Sequence, residues 1–241
     1  MASRTLRFHI KVHKVRAFFS LYIFASLCLW VCIRSLSLHE MFFGEQAIVK
    51  LFSVQTIGLC MAFASVVIMY NYMYDSAREY LRLGKLSAFV REQPSDKPKV
   101  RKRWVYMGIR ASILFALLAF LVIHAPRIAY YGVQLENVYH VFPIAVIFAF
   151  TNSMVEEIIA RVGIVVALKS VVSDSNIAII SGVVFAFVQY FTSPLGMIGF
   201  ALGGFMGWFL AKSILETKGI FWAICIHFVC DVFIFSGVFL L

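Results

Sequence analysis

The feature that most constrains this chain is a series of seven apolar runs, each near the length needed to cross a bilayer. They cover about residues 17–33, 47–73, 104–124, 139–168, 176–192 and 195–213, and the seventh extends from about 219 to the C-terminus. A helical span needs roughly 20 apolar residues, because every backbone polar group must be satisfied inside the segment. Composition agrees: 62% of the 241 residues are apolar and 14% charged, against about 25% charged in soluble domains. No water-soluble globule of this size could cover so much hydrocarbon. The sequence therefore predicts an all-α, polytopic transmembrane helix bundle of seven spans, or eight if one long run is split.

Charge placement divides the chain. The segment 1–16 carries five basic residues and no acid, and the loop 75–103 carries nine Lys or Arg against four acids; elsewhere eight basic residues balance eight acidic ones. Both basic segments flank apolar runs, as the positive-inside rule requires of cytoplasmic loops. This accounts for the net charge of +10 without a nucleic-acid partner. It predicts a cytoplasmic N-terminus in a multi-pass protein whose first contact is the lipid bilayer. The run 17–33 is long for a signal peptide, and no small-residue cleavage site comes after it, so it reads as a retained span ended by Arg34. The third span is expected to stop before Pro126, leaving 125–138 as an external loop with Arg127 and Glu136. The chain divides into three parts: the basic segment 1–16, accessory spans over 17–138 including the 75–103 loop, and a core over 139–241. Five cysteines at 28, 32, 60, 225 and 230 lie in apolar runs without a CxxC pair, and read as small hydrophobes. Gly199, Gly203 and Gly207 form two overlapping GxxxG patterns, expected to bring helices together within the bundle.

The polar residues of the core have no ordinary reason to lie in hydrocarbon, where a charged side chain costs about 2.5–3.5 kcal/mol on insertion scales. They are Glu156, Glu157 and Arg161 in the fourth run, Gln189 in the fifth, and His227 and Asp231 in the seventh; nothing comparable is visible in the first two spans. Glu157 and Arg161 stand four residues apart with the acid first, the better order for an ion pair on a helix. Glu156 lies about 100° around that helix and has no local partner, so its carboxylate reads as the free one. His227 and Asp231 are also four apart and face one direction. A carboxylate, an imidazole and a second carboxyl in a dry cavity suit water activation or metal binding. They suit equally an ion or proton pathway, or a hydrogen-bonded network of purely structural use.

These segments resemble the motifs of the CPBP (Abi) family of intramembrane proteases, which includes the type II CAAX prenyl endopeptidases. Val155-Glu156-Glu157-Ile158-Ile159-Ala160-Arg161 matches EExxxR, Phe185-Ala186-Phe187-Val188-Gln189 resembles FxxxH, and His227-Phe228-Val229-Cys230-Asp231 matches HxxxN/D. Together they span about residues 140–235. The resemblance implies hydrolysis of a peptide bond in a membrane-embedded or lipidated peptide or protein, with no cofactor. Glu156 would be the general base, Glu157 would orient the site through Arg161, and His227 and Asp231 would stabilise the oxyanion. A glutamate-based reaction without a metal is the version expected of this chain. The breadth of the family points to a bacterial plasma membrane. Gln189 departs from the family histidine: an amide orients water but does not titrate. The departure keeps open a catalytically inactive scaffold, or an immunity or partner-binding protein, beside the protease. A transporter is the third reading.

Overall fold

The computed structural model describes residues 2–43, 47–91, 102–132, 135–193 and 195–239, with side chains over 14–37, 48–91, 102–130, 141–193 and 195–237. Among these residues there are ten α-helices in chain order: α1 (Ala2–Phe43), α2 (Ala47–Tyr72), α3 (Tyr74–Tyr80), α4 (Trp104–Ala119), α5 (Ala125–Tyr131), α6 (Leu135–Glu156), α7 (Gly163–Leu168), α8 (Asp174–Thr192), α9 (Met197–Thr217) and α10 (Phe221–Phe239). A π-helical turn over Phe120–His124 joins α4 to α5, and another over Glu157–Val162 joins α6 to α7. Six segments of the described residues are long and apolar enough to cross a membrane, and Phe221–Gly237 is a shorter apolar helix. With no strand among the described residues, the protein is a polytopic helical integral membrane protein. Pro94 and Pro98, with Glu92, Asp96, Lys97, Lys99 and Arg101 of the 75–103 loop, lie outside the described residues.

Two boundaries differ from the sequence expectation. Pro126 does not end the third span, which runs Trp104–Tyr130. Proline cannot donate to a carbonyl one turn back, but it is tolerated in the first turn of a helix. Here the preceding turn widens into the π form and α5 restarts with Pro126 near its beginning. Likewise α1 does not end at Arg34 but continues to Phe43, with Arg34 buried.

The continuous α6–α7 rod is the axis of the bundle. α1, α2 and α10 pack along it, α8 and α9 reach its π-helical turn, and α4 packs on α10. The Gly199-Gly203-Gly207 stripe does what its spacing suggests, within the chain. A Cβ on Gly203 would lie 2.6 Å from Gln189 Cγ, and one on Gly207 would lie 2.8 Å from Phe185 Cβ and 3.1 Å from the Ser181 carbonyl. The stripe therefore lets α9 approach the backbone of α8, setting the position of the two α8 residues, Phe185 and Gln189, nearest the site.

One end of the bundle is tied by polar contacts. After α3 the chain crosses beneath the α9–α10 connection: Lys85 N–H donates to the Thr217 carbonyl at 2.7 Å and Ile220 N–H to that of Arg82 at 2.9 Å. Gly84 is required there. Its φ is +80°, and a Cβ would lie 2.7 Å from both the Thr217 oxygen and Gly219 Cα. Trp222 donates its indole N–H to the Leu86 carbonyl at 2.9 Å, and Trp104 donates to Glu216 at 2.8 Å. On the neighbouring loop, Ser173 caps α8 by accepting from Asn176 N–H, satisfying an otherwise orphan donor.

Gly207→Leu should lower stability by about 1–3 kcal/mol, the usual cost of overpacking, because its nearest contacts include backbone that cannot swing aside. A melting temperature in detergent unchanged by the substitution would contradict the α8–α9 packing.

Candidate active site

The polar cluster is assembled by five helices around the π-helical turn. Inserting one residue into a turn widens the helix and rotates the residues after it, and such turns occur often at functional sites. Here Gly163 N–H donates to the Ile158 carbonyl, the five-residue reach of a π-turn. Glu157, Ile159, Ala160, Arg161 and Val162 are all buried in it. α6 adds Asn152 and Glu156 on one face, four residues apart, and α10 adds His227 and Asp231 with the same spacing.

Two chains of contacts meet at His227. In the first, Arg161 Nη2 lies 3.3 Å from Glu157 Oε1, and that oxygen is 2.7 Å from His227 Nδ1. An ionised carboxylate only accepts, so Nδ1–H donates to it. The ring orientation is thereby set, and Nε2 faces Glu156 Oε2 at 3.7 Å and Asp231 Oδ2 at 3.5 Å. Arg161 also lies over the Phe185 ring, 3.5 Å from its centroid, a cation–π contact that strengthens as water is excluded.

The second chain begins outside the core segment. Arg34 on α1 pairs with Glu156 Oε1 and donates to Asn152 Oδ1 at 3.1 Å, where Gln55 Nε2 on α2 also donates at 3.2 Å. Because guanidinium can only donate, Asn152 must turn its oxygen to Arg34. Its Nδ2 then donates to Asp231 Oδ2 at 2.8 Å. Three carboxylates thus face two guanidinium groups, and a protonated His227 makes the cluster neutral. Every one of these groups is buried, Glu157 and Arg161 completely.

Two expectations are corrected here. Glu156 is not the unpartnered carboxylate, since Arg34 holds its Oε1; only Oε2 is without a hydrogen bond among the described residues. Nor are the first two spans merely hydrophobic, since they bring Arg34 and Gln55 to the centre. Neither partner stands out in the sequence, because each lies about a hundred residues from the groups it touches. One signal is present: Ser35 and Leu36 come after Arg34 without a helix breaker, so the helix could carry the cation inward. Asn152, one turn before Glu156, is equally inconspicuous.

A cavity of about 400 Å³ adjoins the cluster. Arg34, Asn152, Gln189, His227 and Asp231 line it, while Glu156, Glu157 and Arg161 do not. Gln189 is half-buried and makes no side-chain hydrogen bond among the described residues. The six residues expected at the site therefore divide. Glu156, Glu157, Arg161, His227 and Asp231 form one connected cluster, and Gln189 faces the same cavity without joining it. Among the described residues no three His, Cys, Asp or Glu side chains are grouped as ligands for one metal ion. Chemically, the arrangement offers a cavity with hydrogen-bond donors at its wall and carboxylates reached through an oriented imidazole.

Removing Arg34 leaves Glu156 buried without its cation, and breaking such a pair costs about 3–5 kcal/mol. Arg34→Ala should therefore unfold at a clearly lower temperature in detergent, and adding Glu156→Gln should recover much of the loss. Strictly additive effects of the two substitutions would show that the pair does not couple.

The family model of the type II CAAX prenyl endopeptidase Rce1-like proteins matches residues 137–233. The matched segment contains all three motifs and begins within α6, so it excludes α1 and α2. No curated protein and no solved structure matches the chain.

Proposed function

We propose, from the premise that residues 137–233 form an Rce1-like domain, that this protein is an intramembrane endopeptidase that uses Glu156 to activate water. The observation that carries the reading is the connected set Glu156–His227–Glu157–Arg161, beside a cavity lined by His227, Asp231 and Gln189. Phe185 packs under Arg161, Arg161 pairs with Glu157, and Glu157 holds the imidazole by Nδ1. The remaining nitrogen then faces Glu156 and Asp231.

In this reaction a water at the cavity wall beside His227 gives a proton to Glu156 Oε2, which lies 3.7 Å behind His227 Nε2, as the water oxygen bonds to the substrate carbonyl carbon. The oxyanion accepts hydrogen bonds from donors at the cavity wall: protonated His227 Nε2, with the Gln189 amide beside it. Preorganised donors are effective there because the site is dry and needs no reorganisation as charge develops. Collapse of the tetrahedral intermediate breaks the C–N bond, and Glu156 returns its proton to the leaving amine. Asp231 accepts from Asn152 and faces His227 Nε2 at 3.5 Å, as an acceptor rather than a donor. Arg34 holds Glu156 in position through Oε1. The substrate is a peptide segment held in the bilayer by its own span or by a lipid.

Glu156→Gln preserves shape and removes the base, so turnover of membrane-anchored peptides by the purified protein should fall by about 10²–10⁴-fold. Turnover at the unmodified rate would remove Glu156 from the chemistry.

One pair of observations favours a second reading, a non-catalytic partner-binding protein: Glu156 is held by Arg34, and an amide occupies the second motif. The readings separate on Gln189→His. For a working protease, the unmodified chain already cleaves. For a binding protein, cleavage is absent from the unmodified chain and is gained, if at all, with histidine at this position.

A further inference from the structure

A second cavity, of about 480 Å³, is a groove between α1 and α8 with α7 behind it, and it shares no lining residue with the first. Its back wall is buried, formed by Ile23, Leu27, Ile164, Ala167 and Val188. Its rim carries Phe24, Phe187 and Phe191, each at least half exposed. The rim residues belong to segments long and apolar enough to cross a membrane, so the groove opens to hydrocarbon. It extends along α1 from Ser20 to Cys32, about 18 Å at the helical rise per residue. That is slightly more than one leaflet of a hydrocarbon core roughly 30 Å thick. Ser20 is the only lining residue with a side-chain oxygen, and it sits at one end.

Width and charge narrow what the groove can hold. Its volume spread over that length is a cross-section of about 27 Å², enough for one extended hydrocarbon chain, whereas a helix about 10 Å across needs roughly 80 Å². The Ser20 end is basic. Arg16 stands one turn before Ser20 on the same face of α1 and donates to the Lys169 carbonyl, beside Leu168 of the groove wall. Lys14 is exposed next to it. The carboxylate nearby, Asp174, is already shared by Lys169 and Arg91, and among the described residues neither Lys14 nor Arg16 pairs with an acid. At the opposite end Arg34, two residues after Cys32, turns inward to Glu156. A lipid tail gains little by exchanging other tails for an apolar wall, so retention rests on close packing and on attraction between basic residues and an anionic headgroup.

We infer that this groove seats one acyl chain of an anionic phospholipid from the leaflet bordering the basic end, with Arg16 and Lys14 holding its phosphate. The chain lies against Val184 and Val188 of α8, each one residue before a residue that lines the first cavity, Phe185 and Gln189. The lipid thus supports from behind the helix that carries those two residues. This assignment does not depend on hydrolysis.

The native thiols report occupancy directly. Cys28 and Cys32 are exposed in the groove, and Cys60, exposed on α2, lies outside it. The full-length protein, purified in detergent, is alkylated with N-ethylmaleimide, and the rate at each cysteine is read by peptide mass spectrometry. Three conditions are compared: no lipid, phosphatidylglycerol, and phosphatidylcholine with the same chains. Phosphatidylglycerol at about ten times its dissociation constant should slow Cys28 and Cys32 about tenfold and leave Cys60 unchanged, and phosphatidylcholine at equal concentration should protect far less. The double variant Lys14→Gln, Arg16→Gln should respond to phosphatidylglycerol as the unmodified chain does to phosphatidylcholine. Should it not fold, Lys14→Gln alone, altered at an exposed side chain, should show protection between the two. Equal slowing at all three cysteines, equal protection by the two lipids, protection by inorganic phosphate alone, or protection that rises with protein concentration in the absence of lipid would each overturn the inference.

Discussion

Arg161 is the group on which the site depends. A guanidinium with no solvent contact in the middle of a bilayer is sustained only by the charges and rings around it, because the cost of burying an ion is recovered through good geometry or not at all. Glu157 supplies the opposite charge and Phe185 a ring face. Glu157 in turn orients the His227 ring through Nδ1, and His227 addresses Glu156 and Asp231. The π-helical turn makes this possible by letting adjacent glutamates serve different partners: Glu156 faces Arg34 and Glu157 faces Arg161. Packing serves the same end. Without the glycine stripe of α9, the helix carrying Phe185 could not sit so close.

What the sequence reveals depends on the range of the interactions. Pairs four residues apart on one helix, Glu157 with Arg161 and His227 with Asp231, are visible as spacing, and the structure places each pair within 3.5 Å. The GxxxG pattern is visible for the same reason. Interactions between distant helices are not. The Arg34–Glu156 pair joins residues 122 positions apart, and a basic residue after an apolar run looks like the end of a span. Gln55 and Asn152, being uncharged, stand out less in an apolar segment, although each completes a hydrogen-bond chain. The continuation of the third span through Pro126 is hidden because a proline marks both a break and the first turn of a new helix. The helical class, the order of the spans and the core of the site are legible; the contribution of the first two helices is not.

That contribution gives the amino-terminal spans a place in the polar cluster. The segment matching the Rce1-like family begins at residue 137 and contains the carboxylates and the histidine. Arg34 and Gln55 come from outside it. In this protein the accessory helices therefore complete the electrostatics of the core, neutralising Glu156 and directing Asn152 towards Asp231.

The most direct test of the central claim, that this cluster hydrolyses peptide bonds in the membrane, is a comparison of polypeptide termini in membranes from cells carrying the protein and cells carrying Glu156→Gln. New pairs of termini within or beside membrane-anchored segments are expected in the first sample and should be lost in the second. Identical termini in both samples, with each protein folded and present at equal abundance, would contradict it.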